Sequence, residues 1–436
     1  MNRRFSSIMS TGTNPLTEPA EVQVYDFHTG AVSSGPDDVR VLHVIPSIAP
    51  RYGGPSQAIL EMCRALRKQH IQLLIATTDA DGNSRLPVRL GSPVDYQGVP
   101  AIFFTRQYSE AYKYSYPLAR WLGANVKRFD VVHVHAVFSH ACMAAARICR
   151  RHGIPYIVRP LGTLDPWSMR RKPLRKRFLW RLGVGKMLRH AAAIHYTTAE
   201  ERRLAEDSLR LARGVVIPHG IETAHLQMRD DSSLFRQRHP ALDDAPYILV
   251  LSRLHPKKGL EILLGAFLDL MRQPQFRQWK LVIAGAGDAR YETSLRQQVH
   301  QSGGNEHVVF SGWLADREKI SALQNAALLA LPSYQENFGL CVAEAMACGV
   351  PVLVSRHVNL SGEIEAAGAG WIAAMEPDDL REQLARALQM KEERARRGKA
   401  GREFVDRALT WPTVAADLVT LYRSLVAGTS CRQFAS

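Results

Sequence analysis

The 436-residue sequence has no run of eighteen uninterrupted apolar residues, which removes a membrane-spanning helix from consideration. Its first 38 residues have no apolar core of the kind a secretory signal needs. A cytoplasmic chain is therefore expected, with this Ser-, Thr-, Pro- and Gly-rich stretch as a mobile extension. The six cysteines, at 63, 142, 149, 341, 348 and 431, show neither CxxC nor metal-ligand spacing and mostly fall in apolar helical patterns. They are expected to be reduced core residues, with no disulfide or zinc framework. No repeat period occurs, which excludes a solenoid. Acidic residues are scarce, 41 Asp and Glu against 56 Lys and Arg, for a formal charge of +15. That surplus predicts a surface drawn to phosphates, acidic headgroups or nucleic acid, without choosing among them.

What is present reads as an ordinary folded protein, 46% hydrophobic and 22% charged. The chain is longer than one hydrophobic core usually grows, so two domains with a cleft between them are expected. Short apolar runs alternate with helical patterns, the signature of βαβ units and parallel sheets. A first series is VRVLHVI (39–45), IQLLIAT (71–77), VVHVH (131–135), IPYIV (154–158) and AAIHY (192–196). A second is YILVLS (247–252), KLVIA (280–284), HVVF (307–310), ALLAL (327–331) and PVLV (351–354). The break lies near VVIPHGIE (215–222), followed by a polar connection to Pro246. Helices are expected from Pro55 to about Lys68, from Thr198 with Glu201 at capping-box spacing, and from about Pro412 to Val426. Both halves read as doubly wound, with the ligand crevice at the carboxyl ends of the strands.

Five segments could carry chemistry. SYQENFGL leads from a strand through a loop into the helix LCVAEAMAC, with Glu336 on the loop and Glu344 on the helix. The helix start after Gly339 offers free N–H groups and a positive dipole end suited to a phosphate, while the two carboxylates can accept from sugar hydroxyls. The plain alternative is a solvated Glu336 and a locally paired Glu344. LSRLHPKKGLEILLGAF (251–267) sets Arg253 and Lys258 between a strand and a helix, where two cations could neutralise a leaving diphosphate or simply face solvent. AGAGDARYE (284–292) lacks the third glycine of a dinucleotide fingerprint, and a tight turn explains Gly285 and Gly287 equally well. PRYGGPSQAI (50–59) places Gly53 and Gly54 ahead of a helix, for a close ligand approach or a turn. VVHVHAVFSH (131–140) puts His133 and His135 on one face of a strand, as hydrogen-bonding groups at the crevice or as satisfied core histidines.

The block PSYQENFGLCVAEAMACGVPVLVS, taken with SRLHPKKG, resembles the signature of glycosyltransferase family 4 (group 1), retaining enzymes that use nucleotide-sugar donors. The likeness runs from about Val39 to Val426 and is looser in the first half. It implies an α/β GT-B fold of two facing Rossmann-like, doubly wound parallel-sheet domains with an interdomain cleft. The acceptor-binding domain would cover 39–222 and the donor-binding domain 223–408, with a helix at 409–428 returning to the first. By position, Glu336 would contact the donor sugar, Glu344 the ribose hydroxyls, and the backbone of Phe338, Gly339 and Leu340 the diphosphate or sugar. Arg253 and Lys258 would hold the pyrophosphate and Gly53 and Gly54 a ligand. His135 would be the active-site histidine, with His133 second. Retention would follow a front-face route assisted by the departing phosphate, with no metal or other cofactor.

The resemblance thus implies transfer of a hexose from GDP-mannose or a UDP-hexose to a glycan or polyprenyl-diphosphate-linked acceptor during surface polysaccharide assembly, with no nucleic acid as partner. One departure is the insertion-like DPWSMRRKPLRKRFLWRLGVGKMLRH (165–190), dense in Arg and Lys and interleaved with Phe178, Leu179, Trp180, Leu182, Met187 and Leu188. It reads either as a surface for an anionic membrane, which would place the chain on the inner face, or as a solvated helix packed on the first domain. Two rival functions stand beside the transferase: a nucleotide-sugar epimerase of the same fold, and a non-catalytic basic protein binding anions or nucleic acid.

Overall fold

The computed structural model describes residues 39–227 and 234–428. The expected N-terminal extension and Cys431 lie outside the described residues.

The first sheet is built, in chain order, from β1 (Arg40–Val44), β2 (Gln72–Thr78), β5 (Pro93–Tyr96), β6 (Val99–Phe104), β7 (Val131–His135), β8 (Tyr156–Arg159), β9 (Ala193–Tyr196) and β10 (Gly214–Val216). The short strands β3 (Ala80–Asp81) and β4 (Ser84–Arg85) form a separate ribbon. The strand order is β10-β9-β8-β7-β1-β2-β6-β5, parallel throughout except for β5 against β6. The second sheet holds β11 (Tyr247–Leu251), β12 (Lys280–Ala284), β13 (Val308–Gly312), β14 (Leu328–Leu331), β15 (Val352–Ser355) and β16 (Gly370–Ala373). Its order is β13-β12-β11-β14-β15-β16, all parallel.

Parallel strands buried on both faces read as continuous apolar runs. VLHV, LLIA, ILVL and LVIA are such runs, and two apolar clusters cover each sheet, one per face. Besides the β3–β4 ribbon, four strands of the two main sheets escape the sequence pattern. The β5–β6 hairpin, three-residue β10 and β16 lie outside the apolar runs read from the sequence, and β10 falls where the break between the two series was expected. Three of them, β5, β10 and β16, are sheet edges with a neighbour on one side only.

Helix Gly54–Lys68 follows β1, and helix Trp411–Val426 packs beside it on the same face of the first sheet. Val414, Leu418 and Leu421 of the latter are fully buried there, with Trp411 Nε1 donating to Glu61 at 3.1 Å. Burying each such aliphatic chain is worth roughly 1.5–3 kcal/mol. The chain therefore closes on its first sheet after completing its second. Thr198 caps helix Ala199–Leu209 by accepting from Glu201 N–H at 3.0 Å, but the Glu201 carboxylate bonds Thr197 N–H instead of completing the box on Thr198.

Each sheet reverses its winding once, between β1 and β7 in the first and between β11 and β14 in the second. Ligand crevices of doubly wound sheets form at the carboxyl side of such switch points. The carboxyl ends of these four strands and the segments that follow them carry Gly53 and Gly54, His135, Arg253 to Lys258, and Glu336 to Gly339.

Candidate active site

Adjacent strands β11 and β14 bring their following loops side by side. Tyr334 N–H donates to the Lys257 carbonyl at 2.9 Å, which stitches the loops together. Gly259, in a left-handed conformation with φ 62°, ends the short turn Pro256–Lys258 directly against the Pro332 carbonyl, where a Cβ would overlap that oxygen. The stitching aims Lys258 Nζ at Glu336, and the two form an ion pair between the loops. Glu336 is held from its other side as well: its N–H donates to the His357 carbonyl at 3.0 Å, and its carbonyl accepts from Asn359 N–H at 2.9 Å.

Gly339, left-handed at φ 77°, begins helix Leu340–Ala347, whose first turn has no side-chain cap. Glu344, on the second turn, pairs with Lys319 of helix Asp316–Gln324 at 2.6 Å. Between the two acids lies Cys341, its thiol pushed up to about 12 by burial and within the fields of Lys258, Glu344, Glu336 and Lys319. Two acid–base pairs thus flank one uncapped helix start, an arrangement for a ligand with an anionic centre and hydroxyls on either side. Arg253 is exposed at the end of the β11 strand and makes no ion pair among the described residues; its charge reaches Lys257. The Lys257 ammonium lies 4.7 Å from the centroid of the Trp167 ring, and burial lowers its pKa. Phe338 turns its ring into the core, 5.7 Å from that of His219, leaving its backbone at the loop.

Across the cleft, Gly54 starts its helix at 3.5 Å, measured from an added Cβ, from Leu340 Cδ1. Two helix starts therefore face one another. Gly53, at φ 69°, makes the turn between them and Pro50. Further contacts close the domains around Glu336: Gln335 Nε2 donates to Asp165 at 2.9 Å, and Asn337 Nδ2 donates to Thr197 Oγ1 at 3.2 Å. The glycines of AGAGD stand against backbone of residues 252–254, which accounts for Gly285 and Gly287 as a close approach of two loops.

His135 ends β7 and is 1% exposed. Strand alternation sets His43, His133, His135, Arg159 and His195 on the face covered by helix Trp411–Val426. His43 and His135 share a hydrogen bond of 3.0 Å, His133 bonds Tyr422 at 2.9 Å and His195 at 3.3 Å, and His195 reaches the Ile217 carbonyl at 2.8 Å. Burial, joined by the Arg159 charge, lowers these imidazoles, His43 to about 3, so the file is neutral. His43, His133 and His135 bring ring nitrogens within 4.8 Å of one another, a spacing a metal ion could bridge. Their nitrogens are largely engaged with each other and with Tyr422, and a buried guanidinium beside them opposes a second cation, so the donor set fits a hydrogen-bonded network better than a metal centre.

Lys319, Asp165 and Gln335 were not found from sequence. Lys319 sits on a helix with no distinctive pattern, and the Asp165–Gln335 bond joins residues 170 positions apart. A signal did exist for the histidines: VRVLHVI and AAIHY each carry one and VVHVH two, near the strand's carboxyl end, and parallel register aligns His43 with His133. A hollow of about 910 Å³ lined by Phe129, Pro155, His190 and their neighbours opens at the amino ends of β7, β8 and β9, away from this crevice.

Comparison with known proteins fits this geometry. The chain is 27% identical over 215 residues to a GDP-mannose-dependent alpha-(1-6)-phosphatidylinositol monomannoside mannosyltransferase of Mycobacterium tuberculosis, covering 48% of this chain and 55% of that one. It is 34% identical over 197 residues to a phosphatidyl-myo-inositol mannosyltransferase of Mycobacterium leprae, covering 43% and 49%. The chain spans about half the length of the curated relatives it matches. Among solved structures, HepE of Anabaena, in complex with UDP and glucose, superposes with a TM-score of 0.69 at 20% identity, covering 88% of this chain and 100% of that one. Sucrose-phosphate synthase of Thermosynechococcus elongatus gives 0.71 at 19%, covering 90% and 100%. Residues 53–220 match the glycosyl transferase 4-like domain and residues 231–404 the glycosyl transferases group 1 domain, one on each sheet. This chain of two Rossmann-like domains in the GT-B arrangement belongs to the group 1 glycosyl transferases of the family 4 type.

Proposed function

We propose that this protein is a retaining hexosyltransferase, moving a hexose from a nucleotide diphosphate sugar to a hydroxyl of a glycan or lipid-linked glycan in surface polysaccharide assembly. The observation that carries the reading is the Lys258–Glu336 pair set at the uncapped start of helix Leu340–Ala347, with Glu344 and Lys319 beyond it. In this reading the helix start, Arg253 and Lys258 hold the diphosphate, and their attraction grows as negative charge collects on the departing phosphate. Glu336 accepts from the hexose hydroxyls and Glu344 from the ribose. The backbone of Gly53 and Gly54 closes on the acceptor side.

His135 supplies a neutral imidazole to the sugar. Because it is buried, contact requires the turn after β7 to move, and Ala136 there holds a left-handed φ of 78° that is costly for alanine. Glu336 and Glu344 lie on the same loop–helix unit, which does not match a glycosidase with acids on opposite sides of the bond. Retention is assigned to a front-face route in which the departing phosphate takes the acceptor proton. The donor is GDP-mannose or a UDP-hexose; the mannosyltransferase relatives favour the first and the UDP complex of HepE the second.

Thermal-shift titration with UDP-, GDP- and ADP-sugars, followed by nucleoside-diphosphate release with a glycan acceptor, tests the reading. Stabilisation by one donor and acceptor-dependent release are expected. Donor interconversion without acceptor would favour an epimerase. Oligonucleotide binding without nucleotide protection would favour a non-catalytic basic protein.

A further inference from the structure

The basic segment after Asp165 folds into helices Pro166–Arg170 and Pro173–Leu179, a π-turn at Trp180–Val184 and helix Gly185–Arg189. Packing divides its apolar residues into two sets. Leu179, Val184, Met187 and Leu188 enter the core of the first domain. Leu174, Phe178 and Leu182 do not: they are 79%, 65% and 58% exposed, and their spacing of four residues lines them up on the outer face. The inner set already satisfies the packing of this segment, so the outer set is left without a partner among the described residues.

Charge identifies the partner. Residues 166–198 contain nine Lys and Arg and no Asp or Glu. Arg170, Arg171, Lys172, Arg177, Arg181, Lys186 and Arg189 are exposed around the apolar row. A row of aliphatic and aromatic side chains framed only by cations complements a bilayer surface rich in anionic headgroups: the row enters the acyl boundary while the cations remain among the phosphates. A nucleic acid would use the cations but leave two exposed leucines unsatisfied, since it is read through stacking and phosphate contacts.

We propose that the outer face of residues 170–189 is a docking surface for an anionic lipid bilayer, inserted through Leu174, Phe178 and Leu182. The surface starts at the cleft: Asp165 bonds Gln335, and Trp167 stacks on the Lys257 ammonium, both beside Glu336. Docking would therefore bring a lipid-borne acceptor to the edge of the crevice. Binding to lipid is read without donor or acceptor, so it is tested independently of the transferase reading.

The full chain is mixed with phosphatidylcholine vesicles with and without phosphatidylglycerol and sedimented. Co-sedimentation with the anionic vesicles alone, weakened by salt, is expected. Leu174→Ser/Phe178→Ser/Leu182→Ser should reduce the partition about tenfold or more. Arg177→Glu/Arg181→Glu, which keeps the apolar row, should also reduce it. All these side chains are exposed, and an unchanged melting temperature verifies the fold of each variant. Absence of wild-type binding, equal binding to neutral vesicles, or a triple variant that binds as well as wild type overturns the proposal, as does capture by random oligonucleotides with no vesicle binding.

Discussion

Lys258 and Glu336, 78 residues apart, form an ion pair that ties the loop after β11 to the loop after β14, with side chains only 14% and 21% exposed. Partly exposed pairs contribute about 1 kcal/mol or less to stability. Preorganised charge at a reacting centre is worth far more to rate, about 10²- to 10³-fold per group. Lys258→Ala and Glu336→Ala should each lower nucleoside-diphosphate release by that factor with little change in melting temperature. Wild-type turnover in either variant would remove the pair from the site.

Glu344 is a different case. It is held by Lys319 at 2.6 Å on the far side of the helix start, and its assigned role is toward the nucleotide. Glu344→Ala should therefore raise KM for the donor about tenfold, the loss of one charge-assisted hydrogen bond, and leave kcat within about twofold. Lys319→Ala should show the same pattern more weakly. A loss confined to kcat would place Glu344 at the reacting carbon instead.

The buried histidines make stability depend on pH. His43 and His219 are lowered to about 3 by burial and the charge of Arg159, and His133, His135 and His195 shift the same way. In the unfolded chain they take up protons near pH 6.5. Between those limits the unfolded state binds more protons, so stability is complete above about pH 6.5 and falls as pH drops toward 3. Each group contributes a slope of up to ~1.4 kcal/mol per pH unit. Denaturant midpoints should drop steeply from pH 7 to 5, and less steeply in His43→Leu. A flat profile would show that the file is open to solvent.

The two sheets and the helix after Gly339 were legible because their signals are local. Buried parallel strands must be apolar along their length, and a helix pressed on a sheet needs small residues, as Ala343, Ala345 and Ala347 supply. The loops after β11 and β14 were legible for a similar reason: Gly259 and Gly339 mark positions only glycine fills easily. Long-range geometry was not legible. That Leu174, Phe178 and Leu182 face outward while Leu179 and Met187 face inward is decided by packing on the first domain, and the composition of the segment, apolar residues interleaved with cations throughout, does not separate the two sets. Nor does any pattern mark Asp165 as the partner of Gln335, since the contact exists only once two domains fold and close.

The contact between the domains can be tested through Gly162. It follows β8 at φ 68°, its N–H donates to Glu201 at 2.7 Å, and an added Cβ would stand 2.7 Å from Asn337 Cβ, next to Glu336. Gly162→Ala places a methyl between the domains at the point where the first meets the donor loop. Neither core is touched, so the melting temperature should change by only a few degrees, the equivalent of about 1 kcal/mol for a strained alanine. The crevice, however, should open, and misplacement by about 1 Å can cost 10²-fold in rate. Small-angle scattering should show a larger radius of gyration together with slower transfer. Gln335→Ala, which loses a bond without adding a wedge, should slow transfer less. Unaltered scattering and turnover in Gly162→Ala would show that the closed contact between Gly162 and Asn337 is not the form in which the reaction proceeds.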